Sequence, residues 1–168
     1  GLAASGKIPY ASSFAMFAAG RAYEQIRNSI CYPNLNVKVA VTHAGLTVGE
    51  DGATHQMLED IALMRALPNM TVVVPADAAE TAQVIRWAAS YQGPVYIRMG
   101  RAKVEDVISP DAEFVPGKST TLADGSDVTI MACGIMTQQA LQAAKMLAEE
   151  GISARVINMS SIKPIDEE

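Results

Sequence analysis

Short β-rich runs alternate with longer amphipathic segments over the first hundred residues, and this alternation constrains the fold more than any other feature. Apolar residues recur at three- and four-residue intervals in the segments predicted to be helices, which are 12–30, 57–67 and 78–91. The runs predicted to be strands are 37–42, 71–74 and 95–98. Strands that alternate with helices form parallel βαβ units. With 49% hydrophobic residues, the chain is predicted to be an α/β protein with an open, mainly parallel sheet and helices on both faces.

The periodicity weakens after Lys103, where Pro110, Pro116, Gly117 and several acidic residues follow. Such a composition is typical of a linker between domains. A strand, a helix and a strand are then predicted at 127–132, 137–149 and 153–158. We therefore expect a first domain at 1–104, a linker at 105–125 and a truncated second α/β domain at 126–168. Because no initiator methionine is present, we expect a fragment or a subunit.

Charge, cysteines and hydropathy narrow the class of protein. Thirteen basic and 18 acidic side chains give a formal net charge of -5, which does not favour binding to nucleic acid or to an anionic membrane. Cys31 and Cys133 lack the paired spacing of a metal site. They are expected to be reduced thiols, with a chance disulfide as the alternative. No signal peptide and no membrane-length apolar stretch is found in the sequence, so a cytoplasmic protein is expected.

The segment from His43 to Gln56 combines chemically active side chains with glycines. It contains both histidines of the chain, and Glu50 and Asp51 lie between them. Loops that follow parallel strands are common places for functional sites. Three interpretations remain open: a catalytic or binding loop, a loop in which Asp51 or Thr54 only caps the next helix, and a zinc site of unusual spacing.

Several separated motifs resemble one family. VGEDGATHQ, preceded by a histidine and followed by LMRALPNMTVVVPAD, is similar to the pyrimidine domain of transketolases. The resemblance extends upstream through GLAASGKIPYASSFAMFAAGRAYEQIRN and downstream through GPVYIRMGR. The sequence has Ala53 where the family usually has proline. From Asp127 onward, DVTIMACG and LAEEGISARVINMSSIKPID resemble the start of the transketolase C-terminal domain.

The resemblance implies roles for individual residues. Phe14 and Phe17 match aromatic positions that lie against the aminopyrimidine ring of thiamine diphosphate, and Tyr23 is a candidate to close a pocket that Gly20 leaves open. Arg98 is expected to be structural, with an exchange of roles between Arg98 and Arg101 as the alternative. Glu50 is expected to help the loop fold or to meet a partner subunit. The residues implied to bind substrate are His43, Asp51, His55 and Arg101, of which His43 and His55 are also implied to be catalytic and Arg101 to bind phosphate.

The resemblance also implies that the chain depends on a partner. In the family, magnesium or calcium and the diphosphate are held by a separate N-terminal domain with a GDG motif, which this sequence lacks, and no metal ligand is assigned to this chain. The glutamate that activates the cofactor would precede Gly1. We expect an inactive chain that pairs with an N-terminal diphosphate-binding domain or subunit, forms a homodimer and acts on sugar phosphates.

Other assignments remain open on the sequence alone. A non-catalytic assembly or regulatory module could keep the loop without the activity. Deoxyxylulose-phosphate synthase and the β subunit of oxo-acid dehydrogenases share the fold. VGEDG with two flanking histidines favours a transketolase over both of these enzymes.

Overall fold

The structure, a computed structural model, describes all residues from 1 to 168. The strands are β1 (Tyr10–Ala11), β2 (Lys38–Val41), β3 (Thr71–Val73), β4 (Val95–Arg98), β5 (Thr120–Ala123), β6 (Val128–Ala132), β7 (Ala154–Asn158) and β8 (Ser161–Lys163). The α-helices are α1 (Tyr23–Gln25), α2 (Asp60–Ala66), α3 (Ala78–Ser90) and α4 (Met136–Glu149). Two π-helical segments, Met16–Arg21 and Ile26–Cys31, flank α1. None of these helices has both the length and the apolar character needed to cross a membrane.

Five strands form the first sheet in the order β1-β2-β4-β3-β8. All neighbours run parallel except β8, which is antiparallel to β3. The central strands β2 and β4 pair from Lys38 with Val95 to Val41 with Arg98. Their carboxyl ends therefore meet at one edge of the sheet. The mainly parallel sheet confirms the predicted fold class.

Each face of the first sheet has its own core because successive strand residues point to opposite sides. Val39 and Val41 face the helical stretch around α1 together with α2, whereas Ala40 faces α3. Buried side chains on the first face include Ala15, Ala19, Ile26, Met64, Val72 and Tyr96. Those on the second face include Val73, Val84, Ala88, Val95 and Ile97. Burial of one such aliphatic side chain contributes about 1.5–3 kcal/mol, so helices on both faces are needed to stabilise the sheet.

The predicted helices 12–30 and 57–67 both begin too early. Phe14 pairs with Thr42 in a parallel β-bridge, so the regular helical segment begins only at Met16 and continues to Cys31. The second helix begins at Asp60 because the carbonyl oxygen of Met57 instead accepts a hydrogen bond from the Gly45 amide at 2.8 Å. Neither Asp51 nor Thr54 caps this helix, since each lies in a short 3₁₀ turn upstream of it.

The second sheet has the order β5-β7-β6. Strands β6 and β7 are parallel and β5 is antiparallel to β7. Strand β5 lies inside the predicted linker 105–125, where no strand was predicted. Strand β8 leaves this part of the chain and pairs with β3 of the first sheet, and the Val74 amide donates to the Ser160 carbonyl at 2.8 Å. The two parts of the chain are therefore joined by backbone hydrogen bonds.

A buried polar network also connects the two parts. The Asn158 side-chain amide donates to both carboxylate oxygens of Glu80, at 2.9 and 3.1 Å. Glu80 Oε2 also accepts from the Ala76 amide at 2.6 Å, and Asn158 Oδ1 accepts from the Thr137 hydroxyl at 3.1 Å. Glu80, Thr137 and Asn158 are all buried. Because buried polar groups are costly without partners, this network favours one relative arrangement of α3 and β7.

Lys38 is a fully buried cation at the amino end of β2. Its Nζ donates to Asn36 Oδ1 at 2.6 Å, to the Tyr91 carbonyl at 2.7 Å and to the Gly93 carbonyl at 2.8 Å. Burial lowers the pKa of Lys38 to about 8. The side chain ties the turn before β4 to β2, at the end of the sheet opposite the two histidines.

Both cysteines are free thiols. Burial raises the pKa of the Cys31 thiol to about 11, and burial also raises the pKa of Cys133. Cys31 and Cys133 form no disulfide in the structure.

Candidate functional site

A β-bridge places the start of the first helical stretch beside the carboxyl end of β2. The Ala15 amide donates to the Thr42 carbonyl at 2.8 Å, and the Thr42 amide donates to the Ser13 carbonyl at 3.1 Å. His43 follows with a φ of 60°, in the left-handed region that costs most residues about 1–2 kcal/mol. Such strain persists only where the surrounding structure determines it. Here it turns the imidazole of His43 onto the ring of Phe14.

Four rings form one cluster at this edge of the sheet: Phe14, Phe17, His43 and His55. Phe14 and His43 are stacked with centroids 3.8 Å apart and planes inclined by 10°. Phe14 and Phe17 are 5.8 Å apart and nearly parallel. His55 meets Phe17 edge-on at 5.3 Å and 85°. The ring cluster is half-buried, so part of its surface remains accessible.

Threonine neighbours orient both imidazoles in the cluster. Nδ1 of His43 lies 2.9 Å from the Thr42 hydroxyl, and Nδ1 of His55 lies 2.9 Å from the Thr54 hydroxyl. A hydroxyl can donate or accept, so either imidazole tautomer is compatible with these contacts. In both histidines the second ring nitrogen, Nε2, makes no hydrogen bond within the chain and can meet a ligand.

The loop between the histidines is closed at its base by Gly45 and Met57, which form an antiparallel β-bridge. The Gly45 amide donates to the Met57 carbonyl at 2.8 Å. Arg98 Nη2 reaches the same carbonyl at 3.4 Å. The Ala44 amide also donates to the Met99 carbonyl at 3.2 Å. We call the Gly45–Met57 bridge the neck of the loop, and the end of β4 contacts both of its sides.

A buried carboxylate lies behind this neck. Asp60 Oδ2 accepts from Arg98 Nε and from the Tyr96 hydroxyl, each at 2.8 Å, whereas Oδ1 is buried without a partner. Burial and the nearby Asp60 carboxylate raise the pKa of Tyr96 well above its usual value. Tyr96 is therefore a permanent donor, and the charge of Arg98 is neutralised within the chain.

Asp51 and Arg101 are exposed, in contrast to the half-buried ring cluster. Arg101 Nη2 pairs with Glu50 Oε2 at 3.0 Å. An ion pair exposed to this degree contributes roughly 0–1 kcal/mol, so Arg101 can leave Glu50 readily. The structure thus brings Phe14, Phe17, His43 and His55 together and leaves Asp51 and Arg101 on the outer part of the loop region.

Asp60, Tyr96 and Arg21 were not among the predicted site residues. The Arg21 guanidinium lies over the ring of Phe17 at 4.7 Å. Asp60 lies four residues before the buried Met64, and this spacing places both on one helix face. That spacing was the signal that could have revealed the burial of Asp60.

Tyr23 and Gly20, the residues predicted to close the pocket or leave it open, both have close neighbours in the structure. The Tyr23 hydroxyl donates to the Leu63 carbonyl at 3.4 Å, so this ring packs towards α2. A side chain at Gly20 would meet Met16 Cε at 3.2 Å. No three His, Cys, Asp or Glu side chains come together in the chain as ligands for a metal ion.

Both parts of the chain match known protein families in sequence. The sequence model described as the pyrimidine binding domain of transketolase matches residues 1–106, and that of the transketolase C-terminal domain matches 117–168. The chain belongs to the transketolase family. The predicted resemblance is therefore confirmed.

Individual members of the family are similar over the whole chain. A Methanocaldococcus jannaschii protein, provisionally named as a transketolase C-terminal section, is 56% identical over 100% of this chain and 54% of its own length. One subunit of the apulose-4-phosphate transketolase of Phocaeicola vulgatus is 46% identical over 100% of this chain and 54% of its own length. The chain spans about half the length of these relatives.

A solved structure described as a split gene transketolase, inactive beta4 tetramer, is also similar. It is 63% identical, has a TM-score of 0.91, and covers 98% of this chain and 53% of its own. This similarity confirms the α/β fold of the transketolase family for the present chain.

Proposed function

We propose that this chain is the pyrimidine-binding part of a transketolase, which transfers a two-carbon ketol unit from a ketose phosphate to an aldose phosphate. The observation that carries the proposal is the ring cluster of Phe14, Phe17, His43 and His55. It lies at the carboxyl edge of a parallel sheet, where α/β proteins bind ligands. It also lies within the region that matches the pyrimidine domain of the family.

The ring cluster fits the aminopyrimidine of thiamine diphosphate. A planar heterocycle is stabilised by stacking or edge contacts with aromatic rings, and Phe14 and Phe17 offer two nearly parallel, half-buried rings. Because His43 already covers Phe14, we expect the cofactor ring on the Phe17 side. Arg21 is exposed and can move from Phe17 when the ring binds. When bound, thiamine diphosphate supplies a carbon nucleophile for the donor carbonyl.

The two histidines are proposed to handle protons of the sugar. Their threonine contacts orient the imidazoles through Nδ1 and leave Nε2 available. Each Nε2 can then donate to a carbonyl oxygen as it gains negative charge, or accept a hydroxyl proton. Both roles need imidazoles at a fixed spacing, which the stacking on Phe14 and the edge contact with Phe17 favour.

Asp51 and Arg101 are proposed to select the substrate. A carboxylate that accepts from a sugar hydroxyl discriminates against analogues without it, because the polar group is then left unpaired. The planar guanidinium of Arg101 can bind two phosphate oxygens at once. Its present partner Glu50 is largely exposed and easily replaced.

A partner is proposed to complete the site. The diphosphate and its magnesium or calcium ion would be held by an N-terminal domain or subunit, and two such assemblies would form a dimer in the cytoplasm. The similar structure described as an inactive beta4 tetramer supports the view that this half requires a partner. Relatives that are named as subunits of transketolases also support the enzyme over a non-catalytic module or a deoxyxylulose-phosphate synthase.

The test mixes this chain with a diphosphate-binding N-terminal section, thiamine diphosphate and magnesium, and measures ketol transfer between a ketose phosphate and an aldose phosphate. We expect transfer in the mixture and none with either part alone. Arg101→Met should raise KM for phosphorylated sugars by about 10-fold or more, equivalent to about 1.4 kcal/mol of phosphate binding. Arg155→Met is the matched control, because Arg155 pairs only with exposed Asp124 on the second sheet. Equal KM changes in both variants would contradict the role of Arg101, and a mixture without transfer would contradict the function.

A further inference from the structure

We infer that Asp60 and Arg98 are positioning residues that hold the two histidines at a fixed spacing through the neck of their loop. This inference rests on the proposed function for its catalytic meaning but not for its geometry. The neck residues Gly45 and Met57 each lie two residues from a histidine, His43 and His55 respectively. A change at the neck therefore reaches both imidazoles through short stretches of backbone.

The guanidinium of Arg98 lies against both sides of the neck. Its Nη2 contacts the Met57 carbonyl at 3.4 Å. A Cβ added at Gly45 would lie 3.6 Å from Nη2 and 4.0 Å from Nη1, so the guanidinium also packs against this glycine. The planar group thus covers the bridge in a way that the single ammonium of a lysine cannot reproduce.

Asp60 fixes the position of this guanidinium. The pair between Asp60 Oδ2 and Arg98 Nε at 2.8 Å is sheltered, since the side chains are 0% and 16% exposed. Asp60 is the first residue of α2 and follows Met57 by three positions, whereas Arg98 ends β4. The contact therefore ties the outgoing side of the loop to the sheet, as the Ala44–Met99 hydrogen bond ties the incoming side.

The unpaired Oδ1 of Asp60 argues that this group is not there for stability alone. Oδ1 is buried without a hydrogen-bond partner, which costs free energy. An apolar residue would avoid this cost, and buried ion pairs often contribute little net stability. A role in setting the geometry of the loop would explain why a charged pair lies behind the neck. The two arginines therefore have different roles. Arg98 is neutralised by Asp60 and positions the loop, whereas exposed Arg101 remains available for phosphate.

The geometry can be tested on the chain itself by NMR of its two histidine rings. In the wild type, the ring protons of His43 should be shifted by the stacked Phe14, and nuclear Overhauser contacts should join His55 to Phe17. In Asp60→Asn and Arg98→Lys, we expect loss of these contacts and a changed His43 shift, while circular dichroism shows a folded chain. Arg86→Lys is the matched control, because Arg86 is exposed on α3. Unchanged histidine signals in both folded variants would overturn the inference.

A second readout uses the assembled enzyme. Arg98→Lys should lower kcat by about 10- to 100-fold, since a displacement near 1 Å can cost about 100-fold, and should change KM for sugar phosphate less than threefold. A raised KM with normal kcat would show that Arg98 binds phosphate, and would overturn the inference. If the wild-type assembly has no transfer activity, the proposed function fails while the NMR result still decides whether the pair positions the histidines.

Discussion

Replacing Asn158 with alanine tests whether the buried network joins the two parts of the chain. The substitution removes the one amide that donates to both oxygens of the Glu80 carboxylate, which then keeps only the Ala76 amide. It also leaves the Thr137 hydroxyl without its acceptor. A hydrogen bond to a charged group contributes about 1.5–3 kcal/mol, and one amide supplies both bonds to Glu80. We therefore expect the free energy of unfolding to fall by about 2–4 kcal/mol.

The assay is urea unfolding followed by circular dichroism. With an m value of about 2 kcal/mol/M, the midpoint should fall by about 1–2 M without a change in m. Thr137→Val is the matched control, because it removes one neutral hydrogen bond to the same asparagine and should cost about 1 kcal/mol. A loss below about 0.5 kcal/mol in Asn158→Ala, or one equal to that in Thr137→Val, would refute the assignment of the network to Glu80.

Two further predictions concern the opposite end of the sheet and the substrate loop. The pKa of Lys38 falls from 10.5 to about 8 on folding, so the unfolded chain binds more protons between these pH values and stability should rise with pH there, by up to about 3 kcal/mol. The urea midpoint of Lys38→Met should not rise over this pH range. Parallel pH profiles for the wild type and the variant would contradict the prediction. Gly49→Ala places a Cβ 2.5 Å from Arg101 Nη1 at a φ of 76°, whereas Gly52→Ala, at a φ of 69° and a ψ of -166°, also strains the backbone but does not contact Arg101. We expect both variants to lose about 1–3 kcal/mol of stability, but only Gly49→Ala to raise KM for sugar phosphate several-fold. Equal KM values in the two variants would contradict this prediction.

The sequence was sufficient for the central strands β2, β3 and β4 of the first sheet, but not for its edge strands β1 and β8 or for the ends of its helices. The continuous β-rich run from Val37 to Thr42 predicts a buried strand, and the structure buries Val39 and Val41 on one face and Ala40 on the other. The helical periodicity of 57–67 includes Met57, but its carbonyl is taken by Gly45, twelve residues earlier. Local periodicity cannot reveal such a partner, so the helix was predicted to begin three residues too early.

The candidate site was also only partly predictable. Glycine-rich sequence and two histidines marked the loop, and family motifs marked Phe14 and Phe17, because these features are local. The Asp60–Arg98 contact joins residues 38 positions apart and depends on the pairing of β4 with β2. The pairing of β8 with β3 is likewise non-local. The assigned roles of the site residues remain predictions.

In the proposed enzyme, this chain supplies the aromatic half of a thiamine diphosphate site. Calorimetric titration of thiamine diphosphate with magnesium should show binding only when the chain is mixed with a diphosphate-binding N-terminal section. Phe17→Leu should weaken that binding about 3- to 10-fold, from an aromatic contact of about 0.5–1.5 kcal/mol. Phe114→Leu should not, because Phe114 lies in the core beside α3. Equal binding in the Phe17 and Phe114 variants, or no binding in the mixture, would contradict the claim.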